Sequence, residues 1–378
     1  MVVTAAEHGH VEDLRLLIDA KADIEETATG DGWNSPIVCA ARNGHVHAVE
    51  CLASAKADLN NSRVLLHAIK NEQTNVLEVL VAAKVDVDQI NGKGETALCI
   101  AAARGNINAV KLLLGAKADA DIEAEGGYTP VANAIEERHI DILRVLLEAR
   151  ANVTDSRSHH CDGMTYSVSA IEHGCNNEAL ELLVAAKADI DSTCDSMNES
   201  DTDPLLCAID LGDTDTVRIL INANVEVDGD FSDNELPLCR AVDRGKVDVI
   251  TMLLDAKTDI DYGEPVHALA GGCTPANVRR KVLRLLVNAK ADINKQSFSD
   301  GQTPAHAAAL HAREEMLQLL IEAKADMNME DHEGRNPTAV LALCKERNEA
   351  WRRRDAYLDQ RRLVKMKKRK RDRSMPWS

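Results

Sequence analysis

Ala20-Lys21-Ala22-Asp23 is the phrase that decides the fold, because it returns along the chain at nearly constant spacing. Its second residue, called the corner residue below, falls at Lys21, Lys56, Lys84, Lys117, Arg150, Lys187, Asn224, Lys257, Lys290 and Lys324. The intervals are 35, 28, 33, 33, 37, 37, 33, 33 and 34 residues. Such a period is typical of stacked repeats, so the chain is predicted to be an array of about ten similar units.

Each period is predicted to contain two helices. A proline suited to the first position of a helix stands 20 residues before several corners, in places preceded by Thr as N-cap: Pro36, Pro130, Pro204, Pro237 and Pro304. Alanine pairs such as Ala40-Ala41 follow, and then a turn with glycine at corresponding places: Gly9, Gly44, Gly105, Gly174, Gly212 and Gly245. An aliphatic run at helical spacing, such as 316–321, completes the unit as a second helix packed on the first.

The repeat phrases resemble those of one family. Thr303-Pro304-Ala305-His306-Ala307-Ala308 is similar to the Thr-Pro-Leu-His-x-Ala-Ala phrase of ankyrin repeats, and Ala289-Lys290-Ala291-Asp292-Ile293-Asn294 is similar to their Gly-Ala-Asp-Val-Asn ending. A period of 33 is also the length of an ankyrin unit. The resemblance covers residues 1 to about 328, with a degenerate unit from Gly334. It implies an all-α solenoid of stacked helix pairs with β-hairpin-like fingers and a concave face that binds proteins.

The corner residues depart from that family, which has glycine there. A left-handed corner costs a non-glycine residue roughly 1 kcal/mol, which a cation at a helix C-terminus partly offsets by about 0.3–1 kcal/mol. An acidic residue often follows two places on, as Asp23 follows Lys21. Two interpretations stay open: the two rows of charge neutralise each other, or the cations form a ridge that binds an acidic partner.

Aromatic residues are few, with three Trp, four Tyr and two Phe, so the core is predicted to be aliphatic. The fingers are uneven: those before Val64 and Pro265 are short, and those before Tyr166 and Pro204 are long. Outside the C-terminal tail, the rings are predicted in fingers or at a finger–helix junction: Trp33, Tyr128, Tyr166, Phe231, Tyr262 and Phe298. They either pack finger against finger or anchor a partner, since large rings are favoured at interfaces.

Charge divides the chain into two parts. Residues 1–344, predicted as the repeat array, carry 30 Lys and Arg against 57 Asp and Glu; residues 345–378, predicted as a basic helical tail, carry 14 against 5. The tail includes a basic cluster: Lys365, Lys367, Lys368, Arg369, Lys370 and Arg371. This cluster fits nuclear import, nucleic-acid contact or a solvated tail that lies on the acidic array.

Chemical motifs are otherwise lacking in the sequence. His159-His160-Cys161 with His173 and Cys175 lacks the paired spacing of a zinc site, and Gly92-Lys93-Gly94 is not a P-loop. We expect no enzyme, cofactor, metal site or small-molecule substrate. No apolar stretch is long enough to cross a bilayer, so we expect no membrane contact, and ten Cys without dense clustering favour the cytoplasm or the nucleus.

The function predicted from these features is a non-catalytic scaffold or adaptor that binds a protein partner through finger tips and the concave helix face. The acidic array favours a basic partner. Two alternatives remain: a regulatory repeat fragment of a larger channel, kinase or ligase, and a nuclear regulator whose tail contacts nucleic acid. The first unit lacks a finger, and Val2 and Val3 would form a poor solvent-facing cap, so either the chain begins upstream or another surface covers this end.

Overall fold

Paired helices make up the protein in a computed structural model, which describes residues 1–27, 35–124, 127–154, 165–174, 177–191, 203–228, 236–272 and 274–347. The helices are α1 (Val2–His8), α2 (Val11–Asp19), α3 (Pro36–Arg42), α4 (Val46–Ser54), α5 (Ser62–Lys70), α6 (Thr74–Ala82), α7 (Ala97–Ala103), α8 (Ile107–Gly115), α9 (Pro130–Glu136), α10 (Ile140–Glu148), α11 (Tyr166–Glu172), α12 (Asn177–Ala185), α13 (Pro204–Leu211), α14 (Thr214–Asn222), α15 (Pro237–Arg244), α16 (Val247–Asp255), α17 (Pro265–Gly271), α18 (Ala276–Asn288), α19 (Pro304–Leu310) and α20 (Glu314–Glu322). A further helix covers 337–347. The odd-numbered helices are called first helices and the even-numbered ones second helices, and no strand occurs in these ranges.

The starts of the first helices confirm the predicted roles of proline and threonine. All five predicted prolines begin a helix, and Pro265 begins α17. The Thr129 side chain accepts a hydrogen bond from the Ala132 backbone and so caps α9. At α19 the buried His306 joins Thr303 in a capping box. These caps satisfy backbone N–H groups that would otherwise lack a partner at the helix start.

All ten corner residues adopt the predicted left-handed conformation, with φ between 58° and 73°. In the unit of α8, the Lys117 N–H donates to Leu114 O at 3.0 Å and the Ala118 N–H donates to Leu113 O at 3.0 Å. This pair of bonds is the Schellman motif, which ends a helix by turning the chain through one left-handed residue. Ala118 after this corner is buried, as are Ala57, Ala151, Ala188 and Ala291 at equivalent places, so the recurring phrase encodes a helix stop followed by an apolar contact.

Glycine performs the same left-handed turn after most first helices. The six predicted glycines all have positive φ, and non-glycine residues take this conformation at Glu72, Arg138 and Ala312. The two-helix unit therefore contains two left-handed turns, one after each helix. Only the turn after the second helix regularly has Lys or Arg in the left-handed position.

The chain separates into two compact units, each of which is a stack of helix pairs. In the unit that comprises Met1–Ala208 and Asp215–Val225, first helices pack in the order α1, α3, α5, α7, α9, α11 and second helices in the order α2 to α12. In the unit that comprises Ile209–Thr214 and the described residues from Glu226 onward, α15, α17 and α19 form one row and α16, α18 and α20 the other. The largest fully buried side chains are all Leu or Ile, which confirms the aliphatic core.

An acidic row ties neighbouring repeats together within each unit. The Asp119 N–H donates to an Asp88 carboxylate oxygen at 2.9 Å, and the Asp121 N–H donates to the Asp119 carboxylate at 2.9 Å. The same bond between repeats recurs from Asp58 to Glu25, Asp86 to Asn60, Asn152 to Asp121, Asp259 to Asp228, Asp292 to Asp261 and Asp326 to Asn294. In the described ranges no corner cation lies within 4.0 Å of a carboxylate, so the row is held by backbone donors and not by ion pairs with the corners.

The irregular repeat of α17 and α18 still packs within its two rows of helices. α18 has 13 residues where other second helices have nine, and the buried Thr274 before it donates to Val242 O at 2.8 Å. The helix over 337–347 runs past residue 344, where the tail is predicted to begin, and Lys345 pairs with Glu314 at 2.6 Å. At the other end Val2 is 2% exposed, because α1 packs on α3, so Val2 does not form a solvent-facing cap.

Candidate functional site: finger tips and the inner face

Tight turns form the tips of the fingers that connect successive units. In the finger before α7, the Asn91 N–H donates to Glu95 O and the Gly94 N–H donates to Asn91 O, both at 3.0 Å. Gly94 has a φ of 69°, a conformation that few other residues adopt without strain. The Asn91 side chain also accepts hydrogen bonds from the Lys93 and Glu95 backbones. These bonds fix the tip, so its side chains are presented in a defined geometry.

Two of the predicted rings are held against the protein. The Tyr166 hydroxyl lies 2.9 Å from Thr129 Oγ1, across to the preceding unit, and the ring packs on the core. Tyr128 is half-buried, and its carbonyl accepts from the Ala124 N–H at 2.9 Å within the same finger. Tyr166 thus connects two repeats, while Tyr128 lines the groove that is described below.

Two other rings face solvent. Tyr262 is 44% exposed in the short finger before α17, and Phe298 is 92% exposed in the finger before α19. The Ser297 N–H donates to Gln302 O at 2.8 Å and the Gly301 N–H donates to Ser297 O at 2.9 Å, so the turn that carries Phe298 is closed. A phenyl ring with almost no contact to its own chain contributes little to folding. Phe298 is therefore the strongest candidate for a partner contact among these rings.

Several predicted site residues lie outside the described residues. They are Trp33 and Phe231, and in the tail Lys365, Lys367, Lys368, Arg369, Lys370 and Arg371. Their roles remain the predictions made from the sequence. Most of the His/Cys cluster, namely His159, His160, Cys161 and Cys175, also lies outside these ranges. His173 lies within them, and its Nδ1–H donates to Ser169 O at 2.9 Å.

A groove of about 600 Å³, called the α7 groove below, is lined by the fingers before α7 and α9 and by the ends and sides of the first helices α5, α7 and α9; this side of the first helices is called the inner face. Its lining comprises Lys70, Lys93, Glu95, Cys99, Ile100, Ala103, Arg104, Ala124, Tyr128 and Asn133. Lys70 ends α5, Arg104 follows α7, and Asn133 lies on α9. The volume is in the range of sites that hold a small ligand or a few side chains.

The α7 groove is basic, although the array is acidic. Lys70, Lys93 and Arg104 are exposed at its edge. Among the described residues, Glu95 is the one carboxylate in the lining, and the Asn91 amide donates to it at 2.8 Å. His67 lies on α5, three residues before Lys70. Burial lowers the pKa of His67, and the nearby cations Arg42, Lys70 and Arg63 lower it further.

Buried cysteines line the inside of the first helices, as the sequence predicts. Cys39, Cys99, Cys207 and Cys239 are buried free thiols. Burial raises the pKa of Cys239 to about 12, and its Sγ lies 3.0 Å from Gly263 O. Such thiols are unreactive packing groups. In the described part of the chain, no group of three or more His, Cys, Asp or Glu is placed to hold a metal ion.

The groove cations were missed at the sequence level because they belong to no motif. The signal was present: Lys70 and Arg104 are 34 residues apart, one repeat length, so they occupy nearly equivalent helix ends. The repeat spacing gave no reason to group Lys93 with these two residues, since Lys93 lies in a finger and reaches the groove from there. Only the stacking of finger on helix brings the three together.

Comparison with known families gives two matches, both to models of ankyrin repeats. One, described as ankyrin repeats in three copies, matches 2–91, 65–157 and 161–263, and the other, described as ankyrin repeats in many copies, matches 267–321. Together they cover well over half of the chain. No curated protein matches the sequence. In the described ranges no helix is both long and apolar enough to cross a membrane.

Proposed function

The chain belongs to the ankyrin-repeat family, whose repeats are generally protein–protein interaction modules, and from this premise we propose that it is an adaptor that binds a protein partner through its finger tips and inner face. Members of the family are typically non-catalytic, and we propose the same of this chain. The Schellman corners, capped first helices and closed finger turns support rigid presentation of these surfaces. A partner then meets a surface that was ordered on folding, which lowers the entropic cost of binding.

Phe298 is the single observation that carries this proposal. The ring is 92% exposed on a turn whose backbone is fixed by two hydrogen bonds. Burial of roughly 150 Å² of ring at about 25 cal/mol per Å² is worth at most about 4 kcal/mol, enough to make one residue dominate an interface. Tyr262 in the preceding finger extends the same exposed set.

Affinity capture with the full chain as bait tests this proposal. The Phe298→Ser variant should lose its protein partner, because the ring is removed while the fold, which it hardly contacts, is unchanged. The Ile321→Ser variant is the matched control: Ile321 is 47% exposed, but it lies on the second helix α20. Partners retained equally by both variants would contradict a binding role for the finger tips.

The acidic array supports a partner with a basic surface. Residues 1–344 carry a net charge of −27, which attracts basic proteins over long range and raises the association rate. Capture at about 0.5 M added salt, where the Debye length falls to a few ångströms, should recover less partner than capture at low salt. Equal recovery at both salt concentrations would refute the electrostatic part of the proposal. The cytoplasm or the nucleus is the proposed location, from the cysteine usage alone.

A further inference from the structure

From the α7 groove, and resting on the proposed binding function, we infer that this protein holds a short acidic peptide segment of its partner, with a Glu or Asp carboxylate between Lys70, Lys93 and Arg104. This segment is negatively charged, whereas the net negative charge of the array as a whole attracts positively charged proteins. The inference comes from the groove lining and from the bonding of its side chains.

Within the part of the chain that the structure describes, the three cations have no carboxylate partner of their own. In the described ranges the side chains of Lys70 and Lys93 form no ion pair or hydrogen bond, and Arg104 uses one guanidinium N–H, which donates to Lys70 O at 3.4 Å. Residues 1–344 hold 57 acidic side chains against 30 basic ones, so pairing partners are abundant in the chain. A guanidinium with free donors is suited to a carboxylate, which it can bind through two parallel bonds.

Stacking does not require cations at these helix ends. A cation near a helix C-terminus is stabilising through the helix dipole, which is the structural explanation for Lys70 and Arg104. However, the corresponding ends of α9 and α11 carry Glu136 and Glu172, which the dipole disfavours. The repeat tolerates either sign at this position. A cation recurs at the end of α15, where Arg244 pairs with Asp210 at 3.2 Å, so a basic end is a feature of some first helices and not of all of them.

The local field outweighs the acidic array at this place. Charges in water are screened beyond about 8 Å at physiological ionic strength, so most of the distant carboxylates have little effect inside the groove. Among the described residues of the lining, three cations stand against one carboxylate, Glu95, whose position is fixed by Asn91. The lowered pKa of His67, caused first by burial and then by Arg42, Lys70 and Arg63, is consistent with a positive field on this face.

The shape of the groove favours a peptide segment. Its volume of about 600 Å³ is large enough for a few side chains, and its apolar part is formed by Ile100, Ala103 and Ala124. Asn133 and the Tyr128 wall add polar and aromatic contacts. This combination fits an acidic residue next to a small aliphatic one. The protein's own tail is a poorer occupant than an acidic segment of a partner, since residues 345–378 carry 14 basic residues against 5 acidic ones.

A displayed library of random peptides, panned against the full chain, tests the inference. Selected peptides should be enriched in Asp and Glu. Their affinity should fall roughly tenfold for the triple variant Lys70→Gln, Lys93→Gln, Arg104→Gln, because each exposed charge contributes a fraction of a tenfold step. Glu95→Gln should tighten binding about two- to fourfold, since it removes the opposing charge.

The matched control is the triple variant Lys56→Gln, Lys84→Gln, Lys117→Gln, which makes the same change of charge at exposed corners. It should leave the affinity of the selected peptides unchanged, and thermal unfolding should show that both triple variants are folded. Neutral or basic selected peptides, or equal losses in the two triple variants, would overturn the inference. Phe298→Ser decides the proposed function separately, because Phe298 belongs to a different finger and does not line this groove.

Discussion

Lys117 and Lys111 allow the left-handed corner to be tested within one unit. Both are exposed lysines of the same helix–corner segment, but Lys111 lies inside α8 and Lys117 is the corner residue with a φ of 66°. Each is replaced in turn by alanine and by glycine. The comparison of alanine with glycine removes the lysine side chain in both cases and leaves only the backbone preference.

The two sites should respond with opposite sign. At Lys111, glycine should be less stable than alanine by about 0.8–1 kcal/mol, the helix-propensity difference. At Lys117, alanine pays about 1–2 kcal/mol for the left-handed conformation, whereas glycine costs about 0.4–1 kcal/mol through the entropy of the unfolded chain. Glycine should therefore be more stable there by about 0.5–1 kcal/mol. The difference between the two sites is about 1.5 kcal/mol.

Urea unfolding of the full chain, with the slopes of all four variants compared, measures these differences. Lys117→Ala should also be less stable than the wild type by about 0.3–1 kcal/mol, because the cation no longer interacts with the C-terminus of α8. If alanine were more stable than glycine at both positions, the corner would not be strained, and the explanation of the recurring phrase as a Schellman stop would be refuted.

Three further predictions concern single residues and the tail. Burial raises the pKa of Asp203 to about 6, so the stability that its protonated carboxyl contributes is lost as pH rises from about 4 to 6. Asp203→Asn, whose side-chain oxygen can keep both backbone bonds, should raise the free energy of unfolding above pH 6 by at most about 3 kcal/mol, measured as a higher unfolding temperature, and this gain should shrink towards pH 4. An equal gain at both pH values would contradict the role of ionisation. His306→Ala should lower the free energy of unfolding in urea by about 2–4 kcal/mol, because the Arg335 carbonyl, bonded to His306 at 2.7 Å, and the Thr303 N–H both lose a buried partner. A loss under 1 kcal/mol would argue against this role of His306. If the basic cluster directs nuclear import or contacts nucleic acid, deletion of 365–373 should lower nuclear accumulation of a fluorescent fusion or weaken retention on DNA at low salt. No change in either measurement would show that the cluster is a solvated tail.

Local rules account for the parts of the fold that the sequence predicted. The corner at Lys117 and the helix start at Pro130 depend on neighbours within a few residues, so a repeated phrase is enough to place them. Contacts between repeats depend on the offset of one unit on the next, which no phrase encodes. For this reason the bond of Asp119 to Asp88 and that of Tyr166 to Thr129 became visible only in the structure.

The candidate site was predictable to a smaller extent. Aromatic placement alone identified Phe298 and Tyr262, because rings are so scarce elsewhere in the array. It did not distinguish them from Tyr166, whose hydroxyl bonds within the stack. Net charge was misleading for the α7 groove, since an average over the array conceals a local excess of cations.

Hydrogen–deuterium exchange of the full chain, with and without a partner recovered by affinity capture, tests the central claim most directly. The account predicts slower exchange in the fingers and first helices, for example over 91–104 and 122–137, and no change in second helices such as α8 and α10. Protection confined to the second helices, with the fingers unaffected, would contradict it.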